Sequence, residues 1–263
     1  MARAIYGGLL DSGFSATNLS VVDPSAAAQD NARQAGIEHV FDSAPGEALL
    51  ADLIVLAIKP QITKAALQPL AGRLGTRSLV LSIVAGINAE SLAALLGLSD
   101  TGHIIRCMPN TPALVGEGMT GLYASTKAGS AEGKALAERV MSSVGQCVWV
   151  ENESDLDVVT AISGSGPAYF FLFIESLTDA AIALGMTSES ARKLALQTAL
   201  GASRLASLSS EDAATLRKNV TSPGGTTEQA IQAFEASDIR GIVAQATQAA
   251  ARRSLELSKE FGA

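Results

Sequence analysis

Apolar and polar positions follow two different rhythms along the chain. Through residue 150, β-branched runs at 19–23, 37–41, 53–58, 78–84, 103–108 and 147–150 are separated by several alanine-rich stretches of helical length, at 24–35, 61–74, 89–97 and 130–144. Runs such as Leu-Ile-Val-Leu-Ala-Ile at 53–58 are apolar at every position, which suits strands buried on both faces. Strands alternating with helices predict crossover connections and a mostly parallel, doubly wound α/β sheet covered on both sides. A further run at 118–124 predicts an added antiparallel strand.

From about residue 151 the strand rhythm stops. Residues 154–161, 167–184, 188–205, 210–218, 226–234 and 239–260 read as helices, which predicts a first domain over 1–150 and an all-α domain over 151–263. Ser188 and Ser209 are the expected caps, Ser209 standing at capping-box spacing from Asp212. Gly185 is expected to close one helix. Ala and Leu recur along 194–208 and 242–257. That pattern suits either an internal helical core or an interface between subunits.

One element is out of order. Residues 2–10 read as a helix ending at Ser12-Gly13, ahead of the run at 19–23. A doubly wound nucleotide domain opens with a strand, then a glycine-rich turn, then a helix. The expectation is therefore a sheet lacking its first strand and glycine-rich turn, about ten residues. The natural start is then expected upstream of Met1, which the upstream DNA would reveal.

Composition narrows the field. The chain has 263 residues, of which 19 are basic and 26 acidic, for a net charge of −7, and only 17 % are charged. Low charge with 48 % apolar residues excludes a disordered chain, and the acidic balance argues against nucleic acid or an anionic membrane as partner. Asp52 interrupts the apolar run at 49–58, and 169–174 is too brief to span a bilayer, so no membrane helix is expected. Two cysteines, Cys107 and Cys147, cannot frame a disulfide scaffold, and the start shows no charged-then-apolar leader. A reduced, cytoplasmic setting is the expectation. His39 and His103 lack metal-ligand spacing, so no metal site is expected.

Two glycine-rich segments in the helical half are the candidates for chemistry. Ser163, Gly164, Ser165, Gly166, Pro167 and Ala168 precede Tyr169, with Pro167 suited to a first helical turn. Thr221, Ser222, Pro223, Gly224, Gly225, Thr226 and Thr227 open another helix. Bare N–H groups at a helix start attract a carboxylate; tight turns for close helix packing are the competing reading. In the first half, Ala57, Ile58, Lys59 and Pro60 end one buried run, and Arg106-Cys107-Met108-Pro109-Asn110-Thr111-Pro112 ends another. Ligands of open α/β sheets bind beyond such carboxyl ends. Asp23 ends the first run, where an acidic residue binds the adenosine ribose of NAD, although Asp-Pro-Ser is also an ordinary turn.

These elements together resemble the pyrroline-5-carboxylate reductase family. The resemblance rests on Met-Ala-Arg-Ala-Ile at 1–5 with Gly8-Leu9, Ala-Ile-Lys-Pro at 57–60, Val-Ala-Gly-Ile at 84–87, Arg-Cys-Met-Pro-Asn-Thr-Pro at 106–112, Ser-Gly-Ser-Gly-Pro-Ala-Tyr at 163–169, and Val-Thr-Ser-Pro-Gly-Gly-Thr-Thr at 220–227. It spans the whole chain. It implies a Rossmann-type domain for NADPH or NADH and a helical domain that intertwines with a second subunit, the dimers assembling further into decamers. The implied reaction is reduction of 1-pyrroline-5-carboxylate to L-proline, the last step of proline biosynthesis, by hydride addition to the imine carbon. A protonated imine is already a strong electrophile, so the protein's part is to position the two rings.

The resemblance also implies roles. Ser163–Ala168 and Val220 with Ser222–Thr227 would form the substrate pocket, backbone N–H groups around 222–226 holding the carboxylate and Thr227 standing near the ring nitrogen as the catalytic hydroxyl. Met1, Ala2, Asp23, Ala57, Ile58, Lys59, Pro60, Ala85 and Asn110 would line the cofactor. Asp23 favours NADH, whereas Ser25 and Arg33 nearby suit a phosphate, so both cofactors stay open. The family's Gly-x-Gly turn has no counterpart ahead of Met1, and weak cofactor binding is the corresponding expectation. The competing readings are another two-domain NAD(P)-dependent reductase of imines or hydroxy acids, and a truncated, catalytically impaired oligomer.

Overall fold

A computed structural model describes residues 1–125 and 129–261. The described residues form two compact units: 1–165 together with the chain from 250 onward, and 166–249.

The first unit begins with helix α1 (Ala2–Asp11), followed by β1 (Ser20–Val22), α2 (Ala26–Gln34) and β2 (His39–Phe41). Then come β3 (Leu53–Leu56), α3 (Pro60–Leu67), β4 (Leu79–Ser82), α4 (Ala89–Leu96) and β5 (Ile104–Met108). The unit continues through β6 (Gly118–Ala124), α5 (Ala131–Ser142), β7 (Gly145–Trp149) and α6 (Asp155–Val159). Strands β3, β4 and β5 are parallel neighbours, β6 runs antiparallel beside β5 as expected, and β7 lies parallel to β6. Strands β1 and β2 pair only with each other, as a separate parallel sheet. Relative to the doubly wound order 3-2-1-4-5-6, the interruption falls where strand 1 stands.

Alternation along the central strands builds a core on each side. Leu81 and Ile105 face Ala4, Ile5 and Leu9 of α1 and Met141 of α5. Their neighbours Val80 and Ile104 face Leu67 of α3 and Leu92 and Leu96 of α4. All five residues of β5 are buried. The caps differ in part from expectation. Gly185 does follow a helix end, with φ +97°. The helix expected to be capped by Ser188 is capped by Thr187 instead, whose hydroxyl accepts the Ser190 N–H. Asp212, not Ser209, caps the next helix through the Thr215 N–H, because its carboxylate is the stronger acceptor at the residue where the helix begins.

The second unit is helical: α7 (Gly166–Ala183), α8 (Ser188–Leu208), α9 (Ala213–Asn219), α10 (Thr226–Ala236) and the N-terminal part of α11 (Ile239–Phe261), up to residue 249. Helices α7 and α8 pack on each other, and Phe173 of α7 meets Phe234 of α10 with ring centroids 6.0 Å apart. The last turns of α11 belong to the first unit, where the Ser254 hydroxyl donates to Asp157 at 2.6 Å.

The helical run Asp155–Ala183 is 29 residues long and, by length and composition alone, apolar enough to cross a membrane. This departs from the expectation of short runs. The apolar pattern does not break at the glycines of 163–166 but continues through them as helix.

Gly145 tests the tightness of the β6–β7 start. Its φ is +149°, and an added Cβ would overlap the Gly118 carbonyl oxygen. Gly145→Ala should lower the melting temperature by several degrees, an effect of about 2 kcal/mol or more. Gly7→Ala, in α1 with open space around it, should be neutral or slightly stabilising; calorimetry of the two variants checks the pair.

Candidate active site

In the first unit, Leu56, Ser82 and Arg106 stand in register across β3, β4 and β5. The carboxyl ends of these strands therefore deliver Ala57–Pro60, Ala85 and Asn110 to one edge of the sheet, where open α/β sheets bind ligands. Lys59 is exposed and caps α3, with Pro60 in its first turn. Gly86, at φ +73°, passes so close to α11 that a Cβ would lie 3.2 Å from the Leu257 carbonyl oxygen. Met1 is the N-cap of α1 and makes no side-chain capping bond, so the positive end of that helix is left to its own N–H groups. Small residues at the strand ends and an uncapped helix start fit a dinucleotide.

Asp23 behaves as a turn residue. Its Oδ1 accepts the Ser25 N–H at 2.8 Å, and its carbonyl accepts Gln29 Nε2 at 2.8 Å. Arg33, the candidate phosphate partner, donates to Gln29 and Asp30. Asn110 is buried and braces two segments: Nδ2 donates to the Ser163 carbonyl at 3.0 Å and Oδ1 accepts the Met119 N–H at 2.9 Å. The structure thus brings together two predicted residues, Asn110 and Ser163, that are far apart in sequence.

The first glycine-rich segment is not the bare helix start that its composition predicts. Residues Thr160–Gly164 form a π-helical turn between α6 and α7, and the Ser165 N–H donates to the Thr160 carbonyl at 2.8 Å. The Ser163 hydroxyl is also spent, on the Val159 carbonyl at 3.0 Å. A widened turn inside a helical run is a device common at functional sites. Pro167 accordingly follows the first residue of α7 rather than opening it.

The second segment does open a helix. Gly225 is the N-cap of α10 and has no side-chain cap. Gly224 takes φ +72°, which only glycine adopts without strain. The Gly225 N–H donates to the Ser222 carbonyl at 3.0 Å, and the first bond inside the helix is Gln229 N–H to the Gly225 carbonyl. The N–H groups of Thr226, Thr227 and Glu228 precede that bond and form the positive end of α10. The Gly224 N–H donates 2.8 Å to the Glu228 carboxylate. Glu228 was not among the predicted residues; its place three residues after the Gly225 cap is the capping-box spacing that signals it. Val220, Ser222, Pro223, Gly224 and Thr226 are exposed, and Gly225 and Thr227 half-buried. Residues 163–165 belong to the first unit, and 166–168 with 220–227 to the second.

Other chemistries find little support. No group of three metal-ligating side chains occurs among the described residues. His103 Nδ1 lies 3.1 Å from the Ser78 carbonyl, a packing role. Cys107 and Cys147 are free thiols beside the α1 core cluster, and burial pushes both upward in pKa, which keeps them protonated and unreactive.

The comparisons with known proteins agree with this geometry. Residues 1–86 match the family described as NADP oxidoreductase, coenzyme F420-dependent, and residues 153–257 match pyrroline-5-carboxylate reductase dimerisation. Fold and site together define an NAD(P)H-dependent oxidoreductase with a Rossmann-type sheet and a helical oligomerisation domain. Over its whole length the chain is 44 % identical to a pyrroline-5-carboxylate reductase of Pseudomonas aeruginosa, 95 % of which is covered. It is 42 % identical to that of Vibrio alginolyticus, covering 99 % of this chain and 95 % of the relative. The solved pyrroline-5-carboxylate reductase of Coxiella burnetii superposes with a TM-score of 0.92 at 40 % identity, over 98 % of this chain and 94 % of that one. Pyrroline carboxylate reductase of Plasmodium falciparum, solved with NADP bound, gives 0.82 at 31 % identity, over 97 % and 93 %. The chain belongs to the pyrroline-5-carboxylate reductase family.

Membership accounts for the apolar surface of the second unit. Phe170, Phe171 and Leu172 of α7 are each more than 60 % exposed in the single chain, and Leu200 and Leu208 of α8 are likewise bare. So large an apolar face marks an association surface. Phe171→Asp should shift the protein to smaller species in sedimentation velocity, and Phe171→Leu should leave the assembly intact.

Proposed function

We infer that the protein reduces 1-pyrroline-5-carboxylate to L-proline with NADPH or NADH. Residues 1–150 would serve as the cofactor domain and 151–263 as the substrate and dimerisation domain. The observation that carries this reading is the start of α10, where the Gly224 N–H already donates to a carboxylate, that of Glu228. A loop that presents N–H groups to one carboxylate suits the carboxylate of a small ring.

In this reading the N–H groups of Thr226 and Thr227 bind the substrate carboxylate, supported by the helix dipole. Ser222, Pro223, Gly224, Gly225 and Val220 shape the rim. Ser163, Gly164, Ser165, Gly166, Pro167 and Ala168 are the further substrate-side candidates, and Asn110 holds the Ser163 carbonyl of the π-turn. Ala57–Pro60, Ala85, Asn110, Asp23, Met1 and Ala2 serve the cofactor side. The reduced nicotinamide supplies the hydride. The Thr227 hydroxyl hydrogen-bonds the ring nitrogen as the imine becomes an amine: the C=N bond becomes C–N, the carbon gains the hydride, and the electron pair stays on nitrogen. No side chain needs to move a proton in that step if the imine enters protonated, and no histidine or ionised cysteine is required.

We further propose a homodimer as the unit of assembly, with decamers built from it, in the cytoplasm and without nucleic-acid or membrane partners. The apolar stretch of α7 is then subunit interface. A purified sample should oxidise NADPH only when the imine is present. Thr227→Ala should lower kcat/KM for the imine roughly tenfold or more, with the KM for NADPH within about twofold. Steady-state kinetics check this, and an unchanged kcat/KM in Thr227→Ala would remove Thr227 from the mechanism.

A further inference from the structure

Strand β5 carries an arginine into the core. Arg106 is 7 % exposed, and its Nη1 donates to Glu153 Oε1 at 3.0 Å. The same carboxylate oxygen accepts the Ala89 N–H at 2.7 Å. Ala89 is the first residue of α4, directly after its Asn88 cap. Arg106 Nε is buried and has no partner among the described residues. As a source of stability this pair is poor. Desolvating two ions offsets most of their attraction, and a buried N–H without an acceptor adds a further penalty. Its geometry is more informative.

Glu153 ties two segments to one strand. The loop between β4 and Ala89 contains Ala85, a cofactor-side residue in the reading above. Downstream of Glu153, α6 and the π-turn run to Ser163, whose carbonyl is held by Asn110. Arg106 and Asn110 lie four residues apart on the same strand and its exit, so β5 grips the run 153–163 at both ends. Between those grips Val159 packs on Gly121 of β6, where a Cβ would stand 2.7 Å from the valine side chain. Tyr123, paired with Arg106 across the ladder, is pushed upward in pKa by burial and by Glu153, and so remains an uncharged neighbour.

We propose that Arg106 and Glu153 are positioning residues for the reduction. Through Ala89 they fix the cofactor-side loop after β4, and through α6 they fix the substrate-side π-turn, both to a single buried strand. The proposal rests on the reductase reading above.

Steady-state kinetics of the full-length protein test it, with melting temperatures measured alongside to correct for the folded fraction. Glu153→Ala should raise the KM for NADPH and for the imine together and lower kcat/KM for each about tenfold. Glu153→Gln retains an oxygen that accepts from Ala89 and Arg106, and should recover to within about threefold of the parent. Arg106→Met removes the charge and the hydrogen bond to Glu153 and should resemble Glu153→Ala; should it fail to fold, the variants of the partly exposed Glu153 carry the test. Unchanged KM values in Glu153→Ala, or a change in only one of them, would overturn the proposal. A parent protein that leaves NADPH unoxidised in the presence of the imine would instead overturn the reductase reading, and the proposal with it.

Discussion

The burial of β5 governs the first unit. Its five residues lie under helices on both sides, with Ile105 and Cys107 against α1 and α5 and Ile104 against α4. A strand covered in this way has no solvent-facing side on which to place a charge. Arg106 is nonetheless there, and its carboxylate partner must come to it. Glu153 does so and brings the start of α6, while accepting the first N–H of α4. One buried cation thereby organises the connections around the carboxyl edge of the sheet, where the proposed cofactor-side residues emerge.

The second unit depends on a different constraint. Its long helices are apolar on faces that no other part of the described chain covers, including the consecutive aromatics Phe170 and Phe171. Hydrophobic burial is the main stabilising term of a fold, and a unit that leaves this much unburied is completed by association. The match of residues 153–257 to a dimerisation family gives the same answer from a separate direction. The exposed α7 part of the apolar run that passes for a membrane span by length and composition is, in this account, association surface.

Much of this was legible in the residues. Alternation and run length placed the strands of the described residues to within a few positions, including the antiparallel strand at 118–124. Of the two glycine segments, only the second proved to open a helix. In the first, Ser163–Gly166 carry the same composition, yet the Ser165 N–H returns to the Thr160 carbonyl. A π-turn and a helix N-terminus use similar residues, and the difference lies in which carbonyl stands five residues back. Glu153 was illegible for another reason. Its partners Arg106 and Ala89 are 47 and 64 residues away, and only the folded sheet brings them together. Glu228 was nearer to hand, at capping-box spacing from Gly225.

The chemistry asked of this framework is modest. An iminium carbon is already electrophilic, so in the proposed reading rate comes from positioning the two rings, with the Thr227 hydroxyl beside the nitrogen. That suits a candidate site made of backbone N–H groups, small residues and one threonine. The most direct measurement follows the transferred hydrogen. With NADPH deuterated at C4 on the reacting face and 1-pyrroline-5-carboxylate as substrate, the account predicts L-proline carrying one deuteron, located by NMR at C5, the ring carbon remote from the carboxylate. Consumption of the cofactor without labelled proline, or proline labelled only from solvent, would contradict it.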